Sequence, residues 1–209
     1  MCIRDRWKWL CRDLVLGLED NKKIVIVGIP GVGKTTVVNK IAEKLNQQNK
    51  SVSVHSFGTV MFEEAKKSGV QSRDELRKLN VEQQKNLQKK AAETIAGSEE
   101  DVIIIDTHAF ISTKEGFYPG LPNYLIQILK PTHFIAISAK PQEIYNRRTN
   151  DDTRNRDIVS IGSIKKELDV QDAMLSSCSV LSGSPMKVIL NDEGKVEKTA
   201  DTVINAIGL

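Results

Sequence analysis

With 209 residues and 40% of them hydrophobic, the chain suits one globular domain with a sizeable core, which excludes a disordered or fibrous polymer. A formal charge of +3 is too mild to imply nucleic acid, aromatics at 5% are scarce for a base-stacking surface, and no run of about 18 apolar residues exists to span a membrane. Three cysteines, Cys2, Cys11 and Cys178, form neither a disulfide framework nor a metal-ligand cluster, which suits a reducing, cytoplasmic setting.

The first 22 residues, MCIRDRWKWLCRDLVLGLEDNK, differ from everything after them and hold both tryptophans. Leu10, Leu14 and Leu18 form a short helical stripe, consistent with an appended amphipathic helix. Asp13 and Glu19 interrupt the apolar region and no small-residue cleavage site follows, so a signal peptide is not expected. The opening MCIRDR also resembles translated sequencing-adapter text. Both readings, native helix and non-native extension, stay open, and the fold is argued for residues 23–209 alone.

From residue 23 strand and helix signals alternate. Lys23–Val27 reads as a strand, Lys34–Gln48 as a helix, Ser51–Ser56 as a strand, and Val60–Ala96 as a helical region before a third strand at Val102–Asp106. Phe134–Ser138 follows as a fourth strand, Pro141–Asn150 and Ser163–Leu181 as helices, Lys187–Asn191 as a fifth strand and Val196–Ile207 as the closing helix. Runs such as Ile24–Val27 and Val102–Ile105 are continuously apolar, as strands covered on both faces of a parallel sheet require.

Between the first strand and first helix stands GIPGVGKTT, with the spacing G-x-x-x-x-G-K-T from Gly28 to Thr35. This is the phosphate-binding loop pattern in the strand-loop-helix context it needs. Gly28, Gly31 and Gly33 let backbone N–H groups close around phosphate oxygens, and the following helix offers unpaired N–H groups and the positive end of its dipole. Lys34 is placed to reach the β and γ phosphates of a nucleotide, and the Thr35 hydroxyl to sit on Mg²⁺. The expected architecture is therefore α/β: a P-loop NTPase three-layer sandwich with a five-stranded parallel sheet.

In such sheets ligands lie beyond the carboxyl ends of the strands. Asp106 ends the apolar run VIIID and faces the loop, where it can hold Mg²⁺ directly or through water. His108 reads as a hydrogen-bonded structural histidine more than a catalytic one. Arg147, Arg148, Arg154 and Arg156 crowd the segment YNRRTNDDTRNRDI, where they would repel one another unless anions separate them. After the fourth strand that cluster is placed to close over a nucleotide, and the planar guanidinium fork matches phosphate oxygens. The competing reading is a solvated helix face interleaved with Asp151, Asp152 and Asp157.

Together GIPGVGKTT, FGTVMFEEA, RDELRKL, DTHAFISTKEGFYPGLP and RRTNDDTRNRD resemble the archaeal type of adenylate kinase, from about Lys23 to the end of the chain. The resemblance implies a reversible, Mg²⁺-dependent reaction of ATP with AMP giving two ADP. It also implies a helical AMP-binding segment over about 57–97 and a short, metal-free lid over about 149–158. By that resemblance Gly28, Gly31, Val32, Gly33, Lys34, Thr35 and Thr36 bind ATP, Thr35 and Asp106 serve the metal, and Arg148, Arg154 and Arg156 are lid arginines acting with Lys34 in catalysis. Phe57, Gly58 and Thr59 fall where the AMP pocket begins, with Arg77 expected on the AMP phosphate and Arg73 the alternative. Bacterial and eukaryotic relatives follow the strand aspartate with Asp-Gly-Phe-Pro-Arg, whereas Thr107 and His108 follow Asp106. The missing arginine makes Thr107 and the loop Gly120-Leu121-Pro122 candidates for recognising AMP.

No residue stands out to activate a hydroxyl, which suits an AMP phosphate, already a nucleophilic anion. The alternatives are another small-molecule kinase of the same fold, acting on shikimate or a sugar acid, and a kinase-like ribosome-assembly ATPase. Neither a membrane nor a nucleic-acid partner is expected. The oligomeric state stays open between a monomer and a homo-oligomer such as a trimer.

Overall fold

The computed structural model describes residues 21–150 and 160–209. The segment expected over residues 1–22, save its last two, and the lid arginines Arg154 and Arg156 lie outside the described residues, as does the side chain of Arg77.

Five strands form one parallel sheet: β1 (Lys22–Val27), β2 (Val52–Ser56), β3 (Val102–Thr107), β6 (His133–Ser138) and β7 (Met186–Leu190), in the order β2-β3-β1-β6-β7. The register sets Ile26 beside Asp106 and Asp106 beside Ser56, so three strands finish at one rim. The three inner strands carry the continuous apolar runs because both their faces are covered. Even-numbered Ile24 and Ile26 pack under α1 (Lys34–Gln47) and α8 (Val196–Ala206), through Val37, Ile41, Leu45, Ala200 and Val203. Odd-numbered Val25 and Val27 pack on the opposite face against α4 (Val81–Ala96), α5 (Asn123–Leu129) and the later part of α7 (Ile161–Ser182), through Ala91, Ile95, Leu125 and Leu175. Each fully buried Ile or Leu in these layers contributes about 1.5–3 kcal/mol.

The predicted helical region Val60–Ala96 is three helices, α2 (Phe57–Lys67), α3 (Arg73–Lys78) and α4. α2 leaves β2 without a loop, three residues earlier than its apolar pattern suggests. Local chemistry makes the breaks: Gly69 adopts φ 91°, the Ser72 hydroxyl accepts from the Glu75 N–H at 3.1 Å, and Asn80 and Gln83 form a reciprocal cap. A further departure lies between β3 and β6. β4 (Phe110–Thr113) and β5 (Gly116–Pro119) form an antiparallel hairpin, and α5 follows it. The helix α6 (Pro141–Thr149) and α7 agree with the sequence-based bounds to within two residues.

Candidate active site

The phosphate loop joins β1 to α1 at the sheet rim. Gly31 and Gly33 take φ of 93° and 82°, which side chains rarely adopt, and Gly33 starts α1 without a side-chain cap. The first N–H groups of α1 therefore face the cleft with no internal acceptor, the arrangement that favours an anion.

Side chains from three other parts of the fold hold the loop's carbonyls. His108 Nδ1 lies 3.2 Å from the Gly28 oxygen, Arg148 Nε donates to the Pro30 oxygen at 2.8 Å, Arg147 Nη1 to the Gly31 oxygen at 3.3 Å, and Asn191 Nδ2 to the Val32 oxygen at 2.8 Å. A carbonyl can only accept, so His108 carries its proton on Nδ1 and presents Nε2 as an acceptor.

A cavity of about 640 Å³ opens over the loop, bounded by the loop glycines, Lys34, Thr35, Thr36 and Asp106, with Ser56 and Arg73 from the β2–α3 side and Arg147 from α6. Lys34 Nζ forms an ion pair with Asp106 Oδ1 on its floor. Burial pulls the Lys34 ammonium down to about 8. The His108 pKa is also lowered, first by burial and then by Lys34 nearby, which keeps the imidazole neutral near neutral pH.

The sequence-predicted residues divide. Gly28, Gly31, Gly33, Lys34, Thr35, Thr36 and Asp106 meet around one cavity. Val32 is fully buried, so only its backbone belongs to the loop. Arg148 is turned away from the cavity: its side chain is 9% exposed and its Nη2 donates to Glu167 at 2.7 Å. Phe57 packs in the core under α4, Gly58 has open space around it, and the Thr59 hydroxyl accepts from Arg73 Nη2 at 3.2 Å. Arg73, the alternative to Arg77, thus lines the cavity from the side of Ser56 and Thr59. Thr107 is half-buried at the end of β3. Gly120 meets a different demand: its N–H donates to the Ala109 oxygen at 2.8 Å, and a Cβ there would sit 2.0 Å from the His108 oxygen.

Two contributors are not singled out by the sequence. Arg147 appears there only within an arginine cluster, and Asn191 only as the end of a strand. The position of Asn191, first polar residue past an apolar strand on the ligand-bearing rim, is the signal that could have found it.

Comparison with known proteins bears on this geometry. A family profile described as an AAA domain matches residues 27–165. An adenylate kinase of Methanocaldococcus jannaschii is 40% identical over 189 residues, covering 90% of this chain and 98% of that one. The chain belongs to the adenylate kinase family. An adenylate kinase of Thermoplasma acidophilum is 41% identical over 88% of this chain and 98% of its own length. Among solved structures, the shikimate kinase of Acinetobacter baumannii in complex with shikimate aligns with a TM-score of 0.55 at 16% identity, over 90% of this chain and 94% of that chain. At that identity the likeness extends to the fold, a parallel-sheet kinase, and it gives no weight to a sugar-acid or shikimate substrate for an adenylate kinase family member.

Proposed function

We infer that the protein is an adenylate kinase that transfers the terminal phosphoryl group of ATP to AMP, reversibly, giving two ADP. The observation that carries this reading is the match at about 40% identity along nearly the whole of two adenylate kinases, on a chain whose cleft gathers Lys34, Asp106 and Arg73 around a phosphate loop. ATP would lie with its phosphates on the loop and AMP toward Ser56 and Arg73. An oxygen of the AMP phosphate attacks the terminal phosphorus of ATP, the bond to the bridging oxygen breaks, and ADP leaves with that electron pair. Lys34 neutralises charge on the transferring group, and the loop N–H groups hold the phosphates in line. Arg154 and Arg156 would add guanidinium contacts from the lid. Arg148, tied to Glu167 and Pro30, contributes by fixing the base of that segment.

The donor set fits Mg²⁺: the Thr35 hydroxyl and the Asp106 carboxylate are hard oxygen ligands at one cavity, and nucleotide phosphates would complete the shell. When bound, Mg²⁺ would supply charge neutralisation for the nucleotide phosphates. Asp106, paired with Lys34 in the free protein, would be the carboxylate that holds the metal, and Lys34 the ammonium that meets phosphate.

The test is ADP formation from ATP and AMP. Rapid AMP-dependent turnover is expected, with Lys34→Ala lower by several orders of magnitude, on the order of 10³-fold, while keeping its fold. Slow ATP hydrolysis indifferent to AMP would overturn the reading in favour of an assembly ATPase.

A further inference from the structure

The carboxamide of Asn191 lies just past the last strand and is only 3% exposed. Its two ends are both used. Nδ2 donates to the Val32 oxygen at 2.8 Å, and Oδ1 lies 3.1 Å from the Thr199 hydroxyl in the first turn of α8, whose single proton is shared with the Lys195 oxygen at 3.0 Å, an acceptor already served by the Thr199 N–H. The orientation is chemically determined, because only an N–H can meet the Val32 carbonyl. The backbone of Asn191 is fixed as well, its N–H donating to the Ser138 oxygen of β6 at 2.8 Å. Across a trans peptide the carbonyl of one residue and the N–H of the next point in opposite directions. Drawing the Val32 carbonyl toward the core therefore aims the Gly33 N–H into the cavity that Gly33 lines. Gly33 is matched to this contact: a Cβ there would lie 2.7 Å from Asn191 Nδ2, so a side chain would evict the carboxamide.

We propose that Asn191 is a positioning residue for phosphate binding: clamped by Thr199, it holds the Val32–Gly33 peptide so that the Gly33 N–H faces the phosphate chain. The clamp makes the first turn of α8, remote in sequence from the loop, part of the nucleotide site. It rests on reading the cavity as a nucleotide site, and it does not require phosphoryl transfer.

The experiment is calorimetric binding of Mg·ATP and of inorganic triphosphate to the full chain, well below the unfolding midpoint so that lost stability alone does not register. Asn191→Asp keeps the shape but turns an acceptor toward the Val32 carbonyl. It should weaken both ligands by about tenfold or more, the cost of an unmet buried hydrogen bond. Thr199→Val, which frees the far end of the carboxamide, should weaken both by about threefold, and Thr199→Ser, which keeps the hydroxyl, should recover the loss. Affinities within about twofold of the parent in folded Asn191→Asp would overturn the proposal. A loss for ATP without one for triphosphate would do the same, since it would move the effect to the nucleoside. If Asn191→Asp does not fold, Thr199→Val decides, and unchanged affinities there overturn the clamp. Absence of AMP-dependent turnover in the parent would count against the adenylate kinase reading and leave this test intact.

Discussion

The Lys34 ammonium is paired with the Asp106 carboxylate in the free protein, and on the proposed reading it meets phosphate once nucleotide binds. In the free protein burial has lowered its pKa to about 8, so it begins to lose its proton as pH rises through that value. Phosphate oxygens favour the charged form, and bound ATP should therefore draw a proton onto Lys34. Calorimetry of ATP binding in two buffers of different ionisation enthalpy should reveal proton uptake at about pH 8.5 that fades toward about pH 6.5, where the lysine is already charged. Lys34→Arg, charged throughout, should abolish the uptake even if it binds ATP less well. Equal uptake in parent and arginine variant would assign the proton elsewhere. Neighbouring Arg147 and Arg148 show what sequence cannot supply: residues one apart on a helix point about 100° apart, so one guanidinium borders the cavity and the other is covered by Glu167.

At the scale of elements, the hairpin β4–β5 returns the chain across its own entry strand. Gly120 sits where the returning backbone presses on the His108 carbonyl. Gly120→Ala should cost about 3 kcal/mol, because backbone must move to admit the methyl, and should lower Tm by roughly 6–12 °C. Gly58→Ala, in the first turn of α2 with nothing within 4 Å of the added carbon, should leave Tm unchanged or raise it slightly. Similar Tm values for the two variants would remove the steric argument. The β1–loop–α1 unit was legible because its spacing is itself the physics: apolar run, glycines, then lysine and threonine at the helix start. The hairpin was not, since its strands are four residues long and fall below the length at which alternation separates from chance. By the resemblance Phe57 falls where the AMP pocket begins, and it was not legible as a core side chain, because its placement depends on α2 starting without a loop. Asn191 was legible only as a polar residue at a strand end on the rim; its partner could not be read, because the Val32 carbonyl it holds lies 159 positions away.

For the molecule as a whole, acid sensitivity should come in two steps. His108 and His133 both have pKa values lowered from 6.5, each first by burial. Below that pH the unfolded chain takes up protons that the folded chain refuses, so stability falls as pH drops through 6.5 toward the lowered native values. Carboxylates held below their ordinary range, such as Glu64 beside Lys67 and Glu197 beside Lys40, give up their contribution only at lower pH. Urea titrations should show the unfolding free energy declining between about pH 7 and pH 5.5, and His133→Asn should flatten that decline. An unchanged slope in the variant would mean that His133 is not among the groups responsible.

The same long reach between Asn191 and the phosphate loop has a consequence in time. A ribosome delivers residues 28–36 well before their partners: the grip on Val32 comes from a residue 159 positions further on, and the partner of Lys22 Nζ, the Ile207 oxygen at 2.5 Å, lies 185 positions after it. β1 must also wait for β6 before it has a neighbour on its second side. The loop is therefore made long before the residue that holds it, and nascent chains that stop short of Asn191 would carry the whole glycine-rich signature without the contact that fixes the Val32 carbonyl.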